Sequence, residues 1–160
     1  MPAELISHAK SLGLGGIGLC DRSGVYGLVR AWKASVEHRI KLLHGATLSI
    51  EGLPDVVLYA KDSGGWASLC RLISCAHEGS PKGEPSITLE QLLNDNKGLL
   101  ALTTWEWVDH RDVARTISDT ITTYAVASRQ LLTQDRQRIE AIESLAKSME
   151  VSVLASSRAL

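Results

Sequence analysis

Acidic and histidine side chains follow two of the strands that this sequence predicts. Asp21 stands where a short apolar segment, residues 17–19, runs into a polar turn, and Glu106, Asp109 and His110 follow a later apolar segment. Hydrolases with two or three metal ions gather such side chains at the carboxyl ends of parallel strands. The chemistry that these residues would support is therefore metal-assisted hydrolysis.

The segment 103–110 also has a simpler interpretation, in which it does no chemistry. Asp109 would cap the following helix, and Trp105 or Trp107 would cover the edge of the core. We favour this second interpretation. None of the five histidines has the spacing of an H-x-H or H-E-x-x-H metal motif. Four of them are expected away from any site: His8 and His38 on helices, His44 and His77 at surface turns.

Three glycines, at positions 13, 15 and 18, match the formal pattern G-x-G-x-x-G. A dinucleotide site needs this pattern after a strand and at the start of a helix, where backbone N–H groups meet the pyrophosphate. Here the glycines follow a predicted helix and precede a strand. We interpret them as a helix stop and a tight turn, and we predict no cofactor from them.

Composition limits the class of protein. The 160 residues are 44% hydrophobic and 22% charged, which is typical of a globular chain with one sizeable core. A formal net charge of −1 gives no global electrostatic argument for binding nucleic acid or a membrane. We find no membrane-spanning run or signal peptide, and three cysteines without C-x-x-C spacing favour free thiols, so we expect a cytoplasmic protein.

Helical and extended patterns alternate along the chain. This alternation predicts one α/β domain over residues 1–160, with a largely parallel sheet and right-handed crossovers. A Gly/Pro turn at 52–55 between two apolar runs predicts a hairpin, and Thr88 is expected to cap a short helix. Two helices carry apolar stripes that we expect to face the core: Leu5, Ala9 and Leu12 in helix 2–12, and Val25, Leu28, Val29, Trp32 and Val36 in a helix that begins near Gly24.

Several segments together resemble one family. The run Leu-Cys-Asp-Arg-Ser-Gly-Val-Tyr-Gly-Leu-Val-Arg at 19–30 is similar to a strand ending in Thr-Asp-His, followed by a Gly-x-Tyr-Gly helix start. Val-Val-Leu-Tyr-Ala-Lys-Asp at 56–62, with Leu-Cys-Arg-Leu-Ile-Ser at 69–74, is similar to the run "LLAKD…LCRLIS". These motifs resemble those of PHP domains, and most resemble the N-terminal domain of C-family bacterial DNA polymerases: the DNA polymerase III alpha subunit and, more closely, the error-prone DNA polymerase.

The resemblance implies a PHP-like distorted (β/α) barrel, or an open, largely parallel sheet flanked by helices. It also implies that the family's first strand, which carries an H-x-H motif, is missing here. Carried over residue by residue, the resemblance leaves Asp21 as the only retained metal ligand. The other ligand positions are replaced: Arg22 and Asp55 stand at histidine positions, Thr47 at a glutamate, and Ser157 and Ala159 at about the final Asp and His.

We therefore predict a catalytically silent PHP-like domain that serves as a scaffold or interaction module in DNA replication or repair, without a cofactor. Its partners would be polymerase or repair proteins, or DNA through a larger assembly, and no membrane; the oligomeric state stays open. The alternative is an active metal-dependent phosphoesterase, a phosphatase or 3′–5′ exonuclease, that uses zinc or manganese. Its rebuilt site would consist of Asp21, Asp55, Glu106, Asp109 and His110. A third hypothesis, a standalone nucleic-acid-binding module, is disfavoured by the near-neutral charge.

Overall fold

A computed structural model of the protein describes residues 2–78, 80–81, 83–129 and 132–156. In this part of the chain, strands alternate with helices. The strands are β1 (Gly16–Arg22), β2 (Lys41–Ile50), β3 (Leu53–Ala60), β4 (Ser86–Ile87), β5 (Leu99–Thr103), β6 (Thr122–Ala127) and β7 (Ser152–Ala155). The helices are α1 (Pro2–Ser11), α2 (Leu28–His38), α3 (Ser63–Glu78), α4 (Leu89–Asn94), α5 (Arg111–Thr120) and α6 (Asp135–Met149), with a 3-10 turn at Trp105–His110.

The strands form one curled, open sheet in the order β1-β2-β3-β5-β6-β7, and the short β4 pairs with the end of β2. Neighbouring strands are parallel except on the two sides of β3. The turn between β2 and β3 contains Gly52 at φ +68, a left-handed conformation that glycine adopts without strain. The predicted α/β class, the largely parallel sheet and the hairpin are confirmed, and of the two predicted forms the open sheet is the one observed.

All the helices pack on one face of this sheet. Residues in register across the sheet, such as Ala46, Leu58 and Ala101, point into the main core and are fully buried. A smaller cluster on the same face joins α1 and α2 to the first two strands; its buried members are Ile6, Ala9, Ala31, Ala34 and Ile40. Among the described residues, no helix is long and apolar enough to cross a membrane.

The predicted apolar stripe of α2 is wrong, and that of helix 2–12 is confirmed only at Ala9, which is buried. In α1, Ile6 is buried and Leu5 is 51% exposed, and Leu12, just after the end of the helix, is 63% exposed. In α2 the buried face consists of Ala31, Ala34 and Ser35. Small side chains allow helices to approach closely, and here they form the contact between α1 and α2. The large apolar residues of α2 consequently face away from the core.

The first strand is longer than predicted. β1 covers Gly16–Arg22 and pairs with β2, its one neighbour among the described strands, so Asp21 and Arg22 belong to the strand and not to the turn after it. Its residues are half-buried or exposed because it lies at the edge of the sheet. The predicted cap of α4 is confirmed: Thr88 accepts a hydrogen bond from the Gln91 N–H, and the Gln91 side chain accepts one from the Thr88 N–H.

One close backbone approach ties α3 to the sheet. The first turn of α3 carries Gly65, whose N–H donates to Asp62 Oδ1 (2.8 Å). A Cβ atom on Gly65 would lie against the carbonyl oxygen of Gly98 and 2.6 Å from its carbonyl carbon. Gly98 is itself at φ +74, in the turn that leads into β5. Only glycine at position 65 permits this contact.

We expect Gly65→Ala to lower the free energy of unfolding by about 3 kcal/mol, since the added methyl must push two backbone segments apart. Urea unfolding followed by circular dichroism measures this loss. Gly15→Ala is the matched control, because its methyl would meet no atom within 4 Å, and it should stay within about 0.5 kcal/mol of wild type. Equal stability of the two variants would contradict the contact.

Candidate functional site

Two consecutive residues of the predicted metal motif project to opposite faces of the sheet. Asp21 lies in register with the core residue Ala46, and its Oδ2 accepts a hydrogen bond from the Gly27 N–H at 2.9 Å. Arg22 lies in register with Thr47 and points to the face without helices. Asp21 therefore holds the loop that leads into α2, and Arg22 alone points towards the other candidate residues.

Arg22 forms an ion pair with Asp55, which stands at the start of β3. Arg22 Nη1 lies 2.6 Å from Asp55 Oδ2, and Arg22 Nη2 donates to Ser49 Oγ at 3.2 Å. Ser49 Oγ in turn donates to Asp55 Oδ1 at 2.9 Å. The Arg22 side chain is 67% exposed and that of Asp55 is 31% exposed. Both carboxylate oxygens of Asp55 are thus occupied by protein donors.

The backbone around this pair is fixed by three hydrogen bonds. Ser23 has φ +50, an uncommon conformation for a residue with a side chain, and its N–H donates to the Thr47 carbonyl (2.8 Å). His77 Nε2 donates to the Ser23 carbonyl at 2.8 Å. The fully buried Trp107 donates from Nε1 to the Asp55 carbonyl at 2.9 Å. The turn after β1 and the start of β3 are therefore anchored separately.

Of the three candidate residues after β5, only Glu106 lies beside Asp55. Glu106 accepts a hydrogen bond from Thr104 Oγ1, and it lines a depression of about 210 Å³ together with Asp55. Asp109 is exposed, and the prediction that it caps α5 is wrong because the 3-10 turn runs directly into that helix. His110 lies edge-on to Trp107, with ring centroids 6.5 Å apart.

These donors do not fit a metal centre. Asp55 and Glu106 share one depression, whereas Asp21 lies on the opposite face. Within the described ranges, no three His, Cys, Asp or Glu residues form a group that could hold a metal ion. Ser157 and Ala159, the predicted replacements at the end of the chain, lie outside the described residues. The geometry instead provides a guanidinium–carboxylate pair.

The pairing of Arg22 with Asp55 was not predicted from the sequence. The two residues are 33 positions apart in the chain, and the family resemblance indicates only that each stands at a metal-ligand position. The usable signal was their opposite charge at two positions of one presumed site. The sequence also failed to identify Ser49 and the indole of Trp107, since neither residue type at its position indicates a partner.

His44 was predicted at a surface turn, and this prediction is wrong. It lies within β2 on the helix-covered side of the sheet, with its ring edge-on to that of Trp66 at 5.7 Å between centroids. Burial lowers the pKa of His44 below its ordinary value of 6.5, because the protonated imidazole loses hydration there. Its role in the described structure is packing.

This curled α/β sheet is shared with solved hydrolase structures. A putative metal-dependent phosphoesterase from Bifidobacterium adolescentis superimposes with a TM-score of 0.65 at 15% identity, over 98% of this chain and 81% of that one. An amidohydrolase from Chromobacterium violaceum gives a TM-score of 0.70 at 13% identity, over 99% of this chain and 81% of that one. At such identities the similarity shows a common fold.

The chain belongs to the PHP domain family, which it matches over residues 1–151. Similar proteins named error-prone DNA polymerase occur in several bacteria. That of Pseudomonas paraeruginosa is 38% identical over 112 residues, 70% of this chain and 11% of that protein. Those of Pseudomonas fluorescens and Caulobacter vibrioides are 32% and 30% identical over 96% and 98% of this chain. The chain spans only 11% to 15% of the length of these polymerases.

A double-mutant cycle of Arg22→Ala and Asp55→Ala should give a coupling of about 0.5 to 1 kcal/mol, as expected for a partly exposed ion pair with a shared hydrogen-bond partner. The free energies of unfolding of the four proteins measure it. The i,i+4 pair of Arg136 and Glu140, with side chains 91% and 60% exposed, is the control and should give about 0.3 kcal/mol. A coupling of Arg22 with Asp55 no larger than this control would contradict the pair.

We expect the pKa of His44, followed by NMR titration of its ring protons, to lie below 6.5. Because the unfolded chain then binds the proton first, the stability that neutral His44 contributes is complete above about pH 6.5 and is lost as the pH falls towards the folded-state pKa. Urea unfolding at pH 7.5 and 5.5 should show a smaller loss for His44→Gln than for wild type. A titration midpoint at or above 6.5 would overturn this prediction.

Proposed function

We propose that this chain is a PHP domain without metal-dependent hydrolysis, and that it acts as a scaffold or interaction module in DNA replication or repair. The observation that carries the proposal is the ion pair of Arg22 with Asp55. It occupies two positions at which the family resemblance places metal-binding histidines. Relatives named error-prone DNA polymerase support the biological setting.

Charge supports the loss of hydrolysis. An arginine side chain remains protonated at every physiological pH, so it cannot donate a lone pair to a metal ion. Its fixed positive charge also repels a divalent cation, and Asp55 is already neutralised by it. Of the remaining candidate carboxylates, Asp21 and Glu106 accept hydrogen bonds from Gly27 and Thr104, and Asp109 is exposed to solvent. No set of unengaged ligands is left near the pair in the described residues.

The proposal includes a reducing, cytoplasmic location. Cys20, Cys70 and Cys75 take part in no disulfide among the described residues. Burial raises the pKa of the Cys70 thiol, which favours its protonated form. Partners would be other polymerase or repair proteins, with DNA contacted through the larger assembly.

The test uses tag-free protein incubated with Zn²⁺ or Mn²⁺ and then dialysed. We expect less than one bound ion per chain by plasma mass spectrometry, and hydrolysis of bis(p-nitrophenyl) phosphate no faster than for the double variant Asp21→Ala/Asp55→Ala. Two or more bound ions with turnover that the double variant loses would instead support the phosphoesterase. The matched control Asp112→Ala/Asp119→Ala removes two exposed carboxylates on α5 and should behave as wild type in both assays.

A further inference from the structure

The outer surface of α2 is more apolar than its buried surface. Val29, Trp32 and Val36 are 65%, 52% and 61% exposed, whereas the helix packs on its neighbours through small residues. The large side chains therefore contribute little to the folding of this chain. Contiguous exposed apolar surface of this kind is characteristic of interaction sites.

Val29 and Trp32 of this stripe, together with Leu28, form one wall of a groove between α2 and α3, which we call the α2–α3 groove. Its volume is about 490 Å³. Trp66 of α3 forms the opposite wall, and residues of β2 and β3 form the floor. Its apolar lining residues are Leu28, Val29, Trp32, Leu42, Leu43, Ala60 and Trp66.

The groove has a mainly basic rim. Lys41 and Lys61 line it and are exposed, together with one acidic residue, Asp62. Lys33 is exposed on α2 and lies within the Val29–Val36 stripe by helical spacing. Two lysines against one aspartate in the lining, with Lys33 beside them on α2, favour an occupant that combines apolar side chains with acidic ones.

Strand addition cannot fill this groove. Along the floor, β2 pairs with β1 on one side and β3 on the other, so its backbone has no free edge there. The walls are two helices with apolar side chains, and α2 extends for 11 residues, or about 16 Å at 1.5 Å per residue. A helix of about three turns matches this length. Much of the lining is aliphatic, and the Trp66 ring already contacts the edge of His44. Both features favour a protein ligand with apolar side chains over a nucleic acid whose bases would stack on aromatic rings.

We propose that the α2–α3 groove binds an amphipathic helix of another protein, whose apolar face enters the groove and whose acidic residues lie against Lys33, Lys41 and Lys61. This inference rests on the proposed interaction role and assigns it to a surface. The groove proposal is tested by peptide binding, whereas the loss of metal-dependent hydrolysis is tested by metal binding. The first proposal can therefore be wrong while the second is correct.

The probe is a fluorescein-labelled, alanine-based 18-residue helix with leucines at i, i+3, i+4 and i+7, flanked either by glutamates or by lysines. Fluorescence anisotropy at 50 and 200 mM salt measures binding. We expect saturable binding of the glutamate peptide, weaker at the higher salt, and at least tenfold weaker binding of the lysine peptide. Amide shifts in ¹H–¹⁵N spectra should cluster on α2, α3 and the first half of β2.

Four variants locate the binding surface. Val29→Asp and Lys41→Glu should each weaken binding of the glutamate peptide at least fivefold. Two control variants change exposed residues outside the groove: Leu12→Asp, at a leucine that is 63% exposed just after α1, and Lys97→Glu. Both should bind the glutamate peptide within twofold of wild type. Circular dichroism checks that all four remain folded.

Several results would overturn the proposal. These are no saturable binding, equal binding of the two peptides, or unchanged binding to Val29→Asp. Tighter binding of labelled oligothymidylate than of the glutamate peptide would assign the groove to single-stranded nucleic acid instead. A dimer seen by light scattering and lost in Val29→Asp would assign it to a second copy of the chain.

Discussion

The structure depends on the burial of one face of its sheet. Every described helix contributes to a core on the same side of the strands, and that side holds the fully buried residues in register, such as Ala46, Leu58 and Ala101. On the opposite side most side chains are half-buried or exposed, as in the row of Val57, Leu102 and Tyr124, and Thr47 and Val126 are buried exceptions. Because strand side chains alternate, this constraint decides for each strand residue whether it packs or faces the open side.

The fate of the candidate site follows from this constraint. Asp21 falls on the packed side and is used to hold the loop before α2, whereas Arg22 falls on the open side and meets Asp55. A one-residue difference in sequence thus separates two side chains that a ligand motif would use together. The depression shared by Asp55 and Glu106 lies on the open side, too far from Asp21 for one group to form.

The sequence predicted what local patterns can encode. The alternation of helices and strands, the hairpin at Gly52 and the cap at Thr88 each follow from neighbouring residues, and all are observed. It failed where the answer depends on tertiary partners. The apolar spacing of α2 predicted a buried stripe, but Ala31 and Ala34 form the contact because the neighbouring helix lies close. The pair of Arg22 and Asp55 joins separate strands, and no local pattern indicates it.

The ion pair of Arg22 with Asp55 has a structural role on the open side of the sheet. In a metal centre, several carboxylates and imidazoles converge, and without the cation their charges repel one another. On the proposed reading, Arg22 replaces that cation with a charge carried by the chain, so the start of β3 stays ordered without a metal ion.

The large apolar residues of α2 are not explained by packing within the chain, since burying Ala31 and Ala34 already satisfies the fold. If a partner helix occupies the α2–α3 groove as proposed, the exposed tryptophan and valines that the core does not need are accounted for, and the interaction surface of this domain lies on its helices.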